Sequence, residues 1–87
     1  MFVEKDHSLQ AALQFKDFKA AFTFMTIVAE LAEIHAHHPE WSNVYNRVWI
    51  KLTTHGAGNR VTHKDHELAA AIAQHTGALA LEIEAIQ

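Results

Sequence analysis

The 87-residue chain contains no cysteine. Disulfides, thiol nucleophiles and thiolate zinc sites are therefore excluded, and a reducing, cytoplasmic setting is expected. No apolar run approaches the roughly 20 residues that cross a bilayer. The start, Met1-Phe2-Val3-Glu4-Lys5-Asp6, also lacks the basic-then-apolar layout of a signal peptide. Positive charge is scarce: seven Lys and Arg face ten Asp and Glu, for a net charge of −3. The basic residues are scattered, which disfavours direct contact with nucleic-acid phosphates. One proline and three glycines leave no linker or repeat, so residues 1–87 read as a single domain. There is no Gly-x-Ser-x-Gly elbow, and Gly56-Ala57-Gly58 lacks the lysine of a P-loop. So small a domain is often stabilised by association, and a homo-oligomer is expected.

What is present is clear hydrophobic periodicity. Leu9, Ala11, Leu13 and Phe15 alternate with Gln10, Ala12 and Gln14. Residues 2–15 thus read as extended chain around a polar turn at 5–8. Asp17 is the predicted N-cap of a helix over 18–37, with Phe18, Ala21, Phe22, Met25, Ala29 and Ala32 as its apolar stripe and Val28 beside them. Pro39 stops that helix. Over 44–52 the period becomes two, with Val44, Asn46, Val48, Ile50 and Leu52 on one side and Tyr45, Arg47, Trp49 and Lys51 on the other. A short strand at 41–43 precedes it, before a bend. After a glycine-bearing loop, Thr62 and Asp65 form a short-armed capping box. The helix they start carries Leu68, Ile72, Leu79, Ile83 and Ile86 on its apolar side, and Gly77 costs it about 1 kcal/mol. Two helices on one face of a small antiparallel sheet, an α+β fold, is the economical architecture.

Eight histidines are the unusual feature. Histidine gives and takes protons near neutrality. His37 and His38 stand where Pro39 breaks the first helix, and His55 begins the glycine loop after the strand. The end of a helix and the end of a strand packed on it can share a pocket, with a histidine on either wall. A plainer reading makes His37 and His38 caps of the helix dipole, worth about 0.3–1 kcal/mol. A metal reading rests on His35 and His38, and on His63 and His66, each pair one turn apart. It lacks an HExxH arrangement and an evident third ligand. Phe18, Phe22 and Phe24 are assigned to core packing.

Glu33-x-x-x-His37-His38-Pro39, Tyr45, Thr54-His55 and Asp65, in that order, resemble the signature of pterin-4a-carbinolamine dehydratases. Phe15-Lys16-Asp17-Phe18, His38-Pro39-Glu40-Trp41, Val44-Tyr45-Asn46-Arg47-Val48 and Asp65-His66-Glu67-Leu68-Ala69 are similar to the family's text as well. The resemblance covers about residues 9–75. It implies a four-stranded antiparallel sheet with helices on one face, dimers through edge strands and tetramers through helices. It also implies dehydration of 4a-hydroxytetrahydropterin to the quinonoid dihydropterin, without metal or cofactor, in recycling the pterin of aromatic amino acid hydroxylases.

Carried over by position, the resemblance makes His37, His38 and His55 the catalytic set. His37 and His55 are its acid and base, and His38 holds the substrate. His37, His38, Pro39, Thr54, His55, Gly56 and Ala57 are the implied pterin-binding residues. Glu33, one turn before His37, either orients that imidazole or lies free in solvent. Asp65 belongs to the signature, and its place at a helix start allows a structural role. Two departures stand out: longer members carry a further N-terminal helix, and Gly56 occupies a position where an acidic residue is more usual. The alternative function is a non-enzymatic binding module, since some members stabilise the dimer of a homeodomain transcription factor.

Overall fold

The computed structural model describes residues 1–76 and the backbone of 81–82. Strands β1 (Val3–Lys5) and β2 (Ser8–Gln14) form a hairpin in which Lys5 pairs with Ser8. The two turn residues, Asp6 and His7, both take positive φ, at 52° and 62°. That geometry matches the right-handed twist of the flanking strands. Helix α1 (Phe18–Ile34) follows, then β3 (Glu40–Val44), β4 (Arg47–Leu52), α2 (His63–Thr76) and β5 (Leu81–Glu82). The sheet runs β1-β2-β4-β3, with every pairing antiparallel. β4 occupies one side of β2, so the short β5 extends the edge begun by β1, opposite Leu13 and Gln14. The α+β expectation of a small antiparallel sheet with two helices holds.

One cluster of buried side chains joins the layers. The alternation in β2 delivers Leu9, Ala11 and Leu13 to it, with Phe15 following, and β4 delivers Val48, Ile50 and Leu52. Ala21, Phe24, Val28 and Leu31 come from α1, and Leu68, Ala69 and Ile72 from α2. The rings of Phe15 and Phe24 meet at a centroid distance of 5.0 Å. Ala12, assigned to the polar side of β2, is buried too, in register with Trp49. No helix among the described residues is long and apolar enough to cross a membrane.

Four details differ from the sequence expectation. First, α1 buries the stripe Ala21, Phe24, Val28, Leu31 and Ala32, whereas Phe18 and Phe22 are 46% and 55% exposed. Only Phe24 of the three helix phenylalanines is core. Second, α1 ends at Ile34, not at 37. Ala36 adopts φ 49°, its N–H donates to the Glu33 carbonyl, and the His37 N–H donates to the Ala32 carbonyl at 3.0 Å. This pair of bonds closes a helix end before Pro39 acts. Third, the 44–52 segment is not one strand. Val44 ends β3, and a turn at Tyr45 and Asn46 separates it from β4, leaving Val44 64% exposed. Fourth, the apolar pattern assigned to a longer second helix does not persist as helix, because 81–82 form a strand. Gly77, Leu79, Ile83 and Ile86 lie outside the described residues.

Candidate active site

The closed end of α1 places His37 and His38 at the mouth of a cleft. Its lining comprises Ala36, His37, His38, Pro39 and Glu40 from the helix exit, Thr53, Thr54, His55 and Gly56 from the end of β4, and Lys64 from α2. The cleft volume is about 600 Å³. That suits a small ligand, since such sites usually run from about 300 to 1,000 Å³. Residues separated by up to 28 positions thus line one cleft because α1 packs on both β4 and α2. Of the residues singled out in sequence, His37, His38, Pro39, Thr54, His55 and Gly56 line the cleft, and Ala57 does not. His55 and Ala57 bound a single 3₁₀ turn, closed by Gly58 at φ 77°. The cleft also holds Lys64 and Glu40, which sequence reasoning did not assign to the site.

His37 is fixed from behind. Its Nε2 lies 2.6 Å from Asp65 Oδ1. Asp65 has no solvent exposure, and the His37 side chain has 11%. The second carboxylate oxygen, Oδ2, accepts a bond from the Thr54 hydroxyl at 2.7 Å and another from the Thr62 N–H at 2.9 Å. Burial alone would push the Asp65 carboxyl up. The bonds from His37, Thr54 and the Thr62 backbone, with the charge of His37, outweigh that and hold it below its ordinary value of 3.8. An ionised carboxylate can only accept. His37 therefore donates through Nε2, and its remaining ring nitrogen, Nδ1, is the one free to exchange a proton with a ligand.

These contacts separate the alternatives left open for Glu33 and Asp65. Glu33 does not orient His37. Its Oε2 instead lies 2.6 Å from Nε2 of His38, with both side chains mostly exposed. The carboxylate that holds His37 is Asp65, 28 positions away. Asp65 is also structural: it accepts the Thr62 N–H and so completes the acidic half of the capping box. Its presence in the signature was the available signal; its partner could not be read from spacing. Among the described residues no group of three or more His, Asp or Glu side chains is gathered as a metal site would require.

Comparison with known proteins agrees with the fold. The model of the family described as "Pterin 4 alpha carbinolamine dehydratase" matches residues 2–75. A Rhizorhabdus wittichii protein named "Putative pterin-4-alpha-carbinolamine dehydratase" is 57% identical over 65 residues, covering 75% of this chain and 66% of its own length. A Synechococcus protein of the same name is 61% identical over 59 residues, covering 68% of this chain and 62% of its own. The matched segment thus spans slightly less than two thirds of these relatives. A crystal structure described as a transcriptional coactivator/pterin dehydratase from Brucella melitensis superposes with a TM-score of 0.78 at 40% identity, over 84% of this chain and 79% of that one.

Proposed function

Because the chain belongs to the pterin 4 alpha carbinolamine dehydratase family, we propose that it removes water from a 4a-hydroxytetrahydropterin to give the quinonoid dihydropterin. The carbinolamine carries a hydroxyl on C4a beside N5–H. An acid protonates the hydroxyl, the C4a–O bond breaks as the N5 lone pair forms a C=N bond, and a base removes the N5 proton. Water and the quinonoid product leave, and the atoms balance. The ring supplies the electron push, so one acid and one base suffice, each worth typically about 10²–10⁴-fold when well placed.

The convergence of His37, His38 and His55 on one cleft carries this reading. His37, with Nε2–H committed to Asp65, is the base through Nδ1. His55 is the acid at the departing hydroxyl. His38, braced by Glu33, holds the pterin at the rim together with Pro39 and Gly56. β3 is an edge strand whose outer side is unpaired among the described residues. It offers a second copy a template for a homodimer or a larger homo-oligomer. The substrate would come from an aromatic amino acid hydroxylase in the same cytoplasmic compartment.

A second reading, a protein-binding module, draws on exposed Phe18 and Phe22, whose rings lie 5.8 Å apart on α1. One assay separates the two. Purified chain is mixed with freshly generated 4a-hydroxytetrahydropterin, and loss of the carbinolamine absorbance is followed. Acceleration by the parent, with most of it lost in His37→Ala and in His55→Ala, supports the enzyme. No acceleration by the parent, or parent-like rates in both variants, overturns it and leaves the binding module.

A further inference from the structure

We infer that Thr54 is a positioning residue for His37, acting through Asp65 as the last link of a one-way hydrogen-bond chain that begins at the start of α2. The proposal rests on the dehydratase reading for its kinetic part only. Its geometry stands on four contacts. The Lys64 N–H donates to Thr62 Oγ1 at 3.3 Å. Thr62 Oγ1 and Thr54 Oγ1 lie 2.7 Å apart. Thr54 Oγ1 lies 2.7 Å from Asp65 Oδ2, and Asp65 Oδ1 lies 2.6 Å from His37 Nε2.

The direction of this chain follows from the inventory of protons. The Asp65 carboxylate has none to give, so Thr54 must direct its single hydroxyl proton at Oδ2. Thr54 can then only accept from Thr62, whose own hydroxyl proton points at Thr54. Thr62 in turn accepts from the Lys64 backbone. Every proton has one place to go. Such a chain, half-buried and ending on a fully buried carboxylate, is stronger than its separate bonds and fixes the plane of the carboxylate.

The consequence reaches both walls of the cleft. Thr54 precedes His55, and its backbone N–H donates to the Arg60 carbonyl at 3.0 Å, closing the loop that carries His55. One residue therefore ties the turn bearing His55 to the carboxylate that aims His37. The Thr54 hydroxyl is engaged in this work and is not offered to a ligand, although the residue lines the cleft.

Thr54→Val removes the hydroxyl at nearly constant shape, Thr54→Ser keeps it, and Thr62→Val cuts the chain one link earlier. In Thr54→Val, kcat should fall about tenfold while KM stays within about twofold, the pattern of misplaced chemistry rather than lost binding. The His37 Nε2–H proton, followed by ¹⁵N-edited NMR in histidine-labelled protein, should exchange with water about tenfold faster. Thr54→Ser should recover both readouts, and Thr62→Val should move both in the same direction by about threefold.

Parent-like kcat and parent-like exchange in Thr54→Val overturn the proposal. So does a Thr54→Ser variant as impaired as Thr54→Val, which would make the methyl group the working part. Should Thr54→Val fail to fold, Thr62→Val decides the matter: unchanged exchange overturns the proposal. If the parent turns over no pterin, the dehydratase reading fails, while the exchange measurement still decides the chain.

Discussion

The His37 imidazole and the Asp65 carboxylate meet at 2.6 Å although 28 positions separate them. The contact joins the exit of α1 to the first turn of α2, so one carboxylate holds the proposed base and caps a helix together. Asp65→Asn should damage both. Three donors converge on this group, from His37, Thr54 and Thr62. The single amide oxygen of asparagine cannot satisfy them all, and its NH₂ would face another donor. A loss of roughly 2–4 kcal/mol is expected for such a buried, charge-assisted cluster. Urea denaturation measures it, and a change below about 1 kcal/mol would place the variant among ordinary surface substitutions.

The same carboxylate sets an acid limit. Its pKa in the folded chain lies below the ordinary 3.8, so folding favours the ionised form. The stability this contributes is fully present above about 3.8 and is lost as pH falls through the lower folded value. Urea midpoints of the parent and of Asp65→Asn should therefore differ by a constant amount from pH 7 to 5. The two should converge as the pH drops below 4. A gap that persists unchanged to the lowest pH at which both fold would contradict this.

Glu33 and His38 provide the exposed counterpart. Their side chains are 77% and 64% exposed, and solvent screens such pairs strongly. Glu33→Gln should leave the denaturation midpoint close to that of the parent. Its effect should fall on KM for the pterin, through the aim of His38, with kcat within about twofold. A kcat loss as large as that of Asp65→Asn would mean that Glu33 works on the reacting centre.

Much of this architecture is legible in the residues alone. Leu9, Ala11, Leu13 and Phe15 alternate, and a one-residue slip of register would turn all four out of the core. Asp17 was readable as a cap, and its carboxylate accepts the Ala20 N–H at 2.8 Å. A meeting of His37, His38 and His55 is readable because a helix end and a strand end on one core can adjoin, and all three line the cleft. The misreadings share a physical origin. The stripe through Phe18 and Phe22 has helical spacing, but which flank faces the sheet depends on the packing angle, not on period. Val44 continues the β4 alternation in sequence, but the two-residue turn pairs it with Arg47 and so sets it on the face opposite Val48 and Ile50. The partners of Glu33 and Asp65 are fixed by three-dimensional placement: local spacing allows Glu33 either His37 or solvent, and only the docking of α2 brings Asp65 to His37.

The helix exit that aims His37 stores strain that one substitution can relieve. Ala36 holds φ 49°, a left-handed conformation that disfavours any residue with a Cβ. Glycine is the usual occupant of this position in a closed helix end. Ala36→Gly should stabilise the fold by about 0.5–1 kcal/mol, the net of relieved strain and added unfolded-chain entropy. For a chain of this size that is a rise in Tm of roughly 4 °C, readable by circular dichroism. A fall in Tm would show that the alanine methyl contributes packing at the cleft wall worth more than the strain.

Phe22 and Phe24 test which face of α1 bears the load. They are two residues apart on one helix, so they point to different sides. Phe24 is fully buried against Phe15 in the core, and Phe22 is 55% exposed. Phe24→Ala should cost about 3–5 kcal/mol, from lost transfer energy and the cavity left behind. Phe22→Ala removes one partner of an exposed ring pair and should cost under about 1 kcal/mol. Both effects are read from urea denaturation at a single protein concentration. If the Phe22 variant loses as much as the Phe24 variant, and the loss grows on dilution, then the Phe18–Phe22 surface is covered in solution by a second copy. Equal losses that do not vary with concentration would mean that α1 turns its other flank to the sheet, which would displace His37 from the cleft with it.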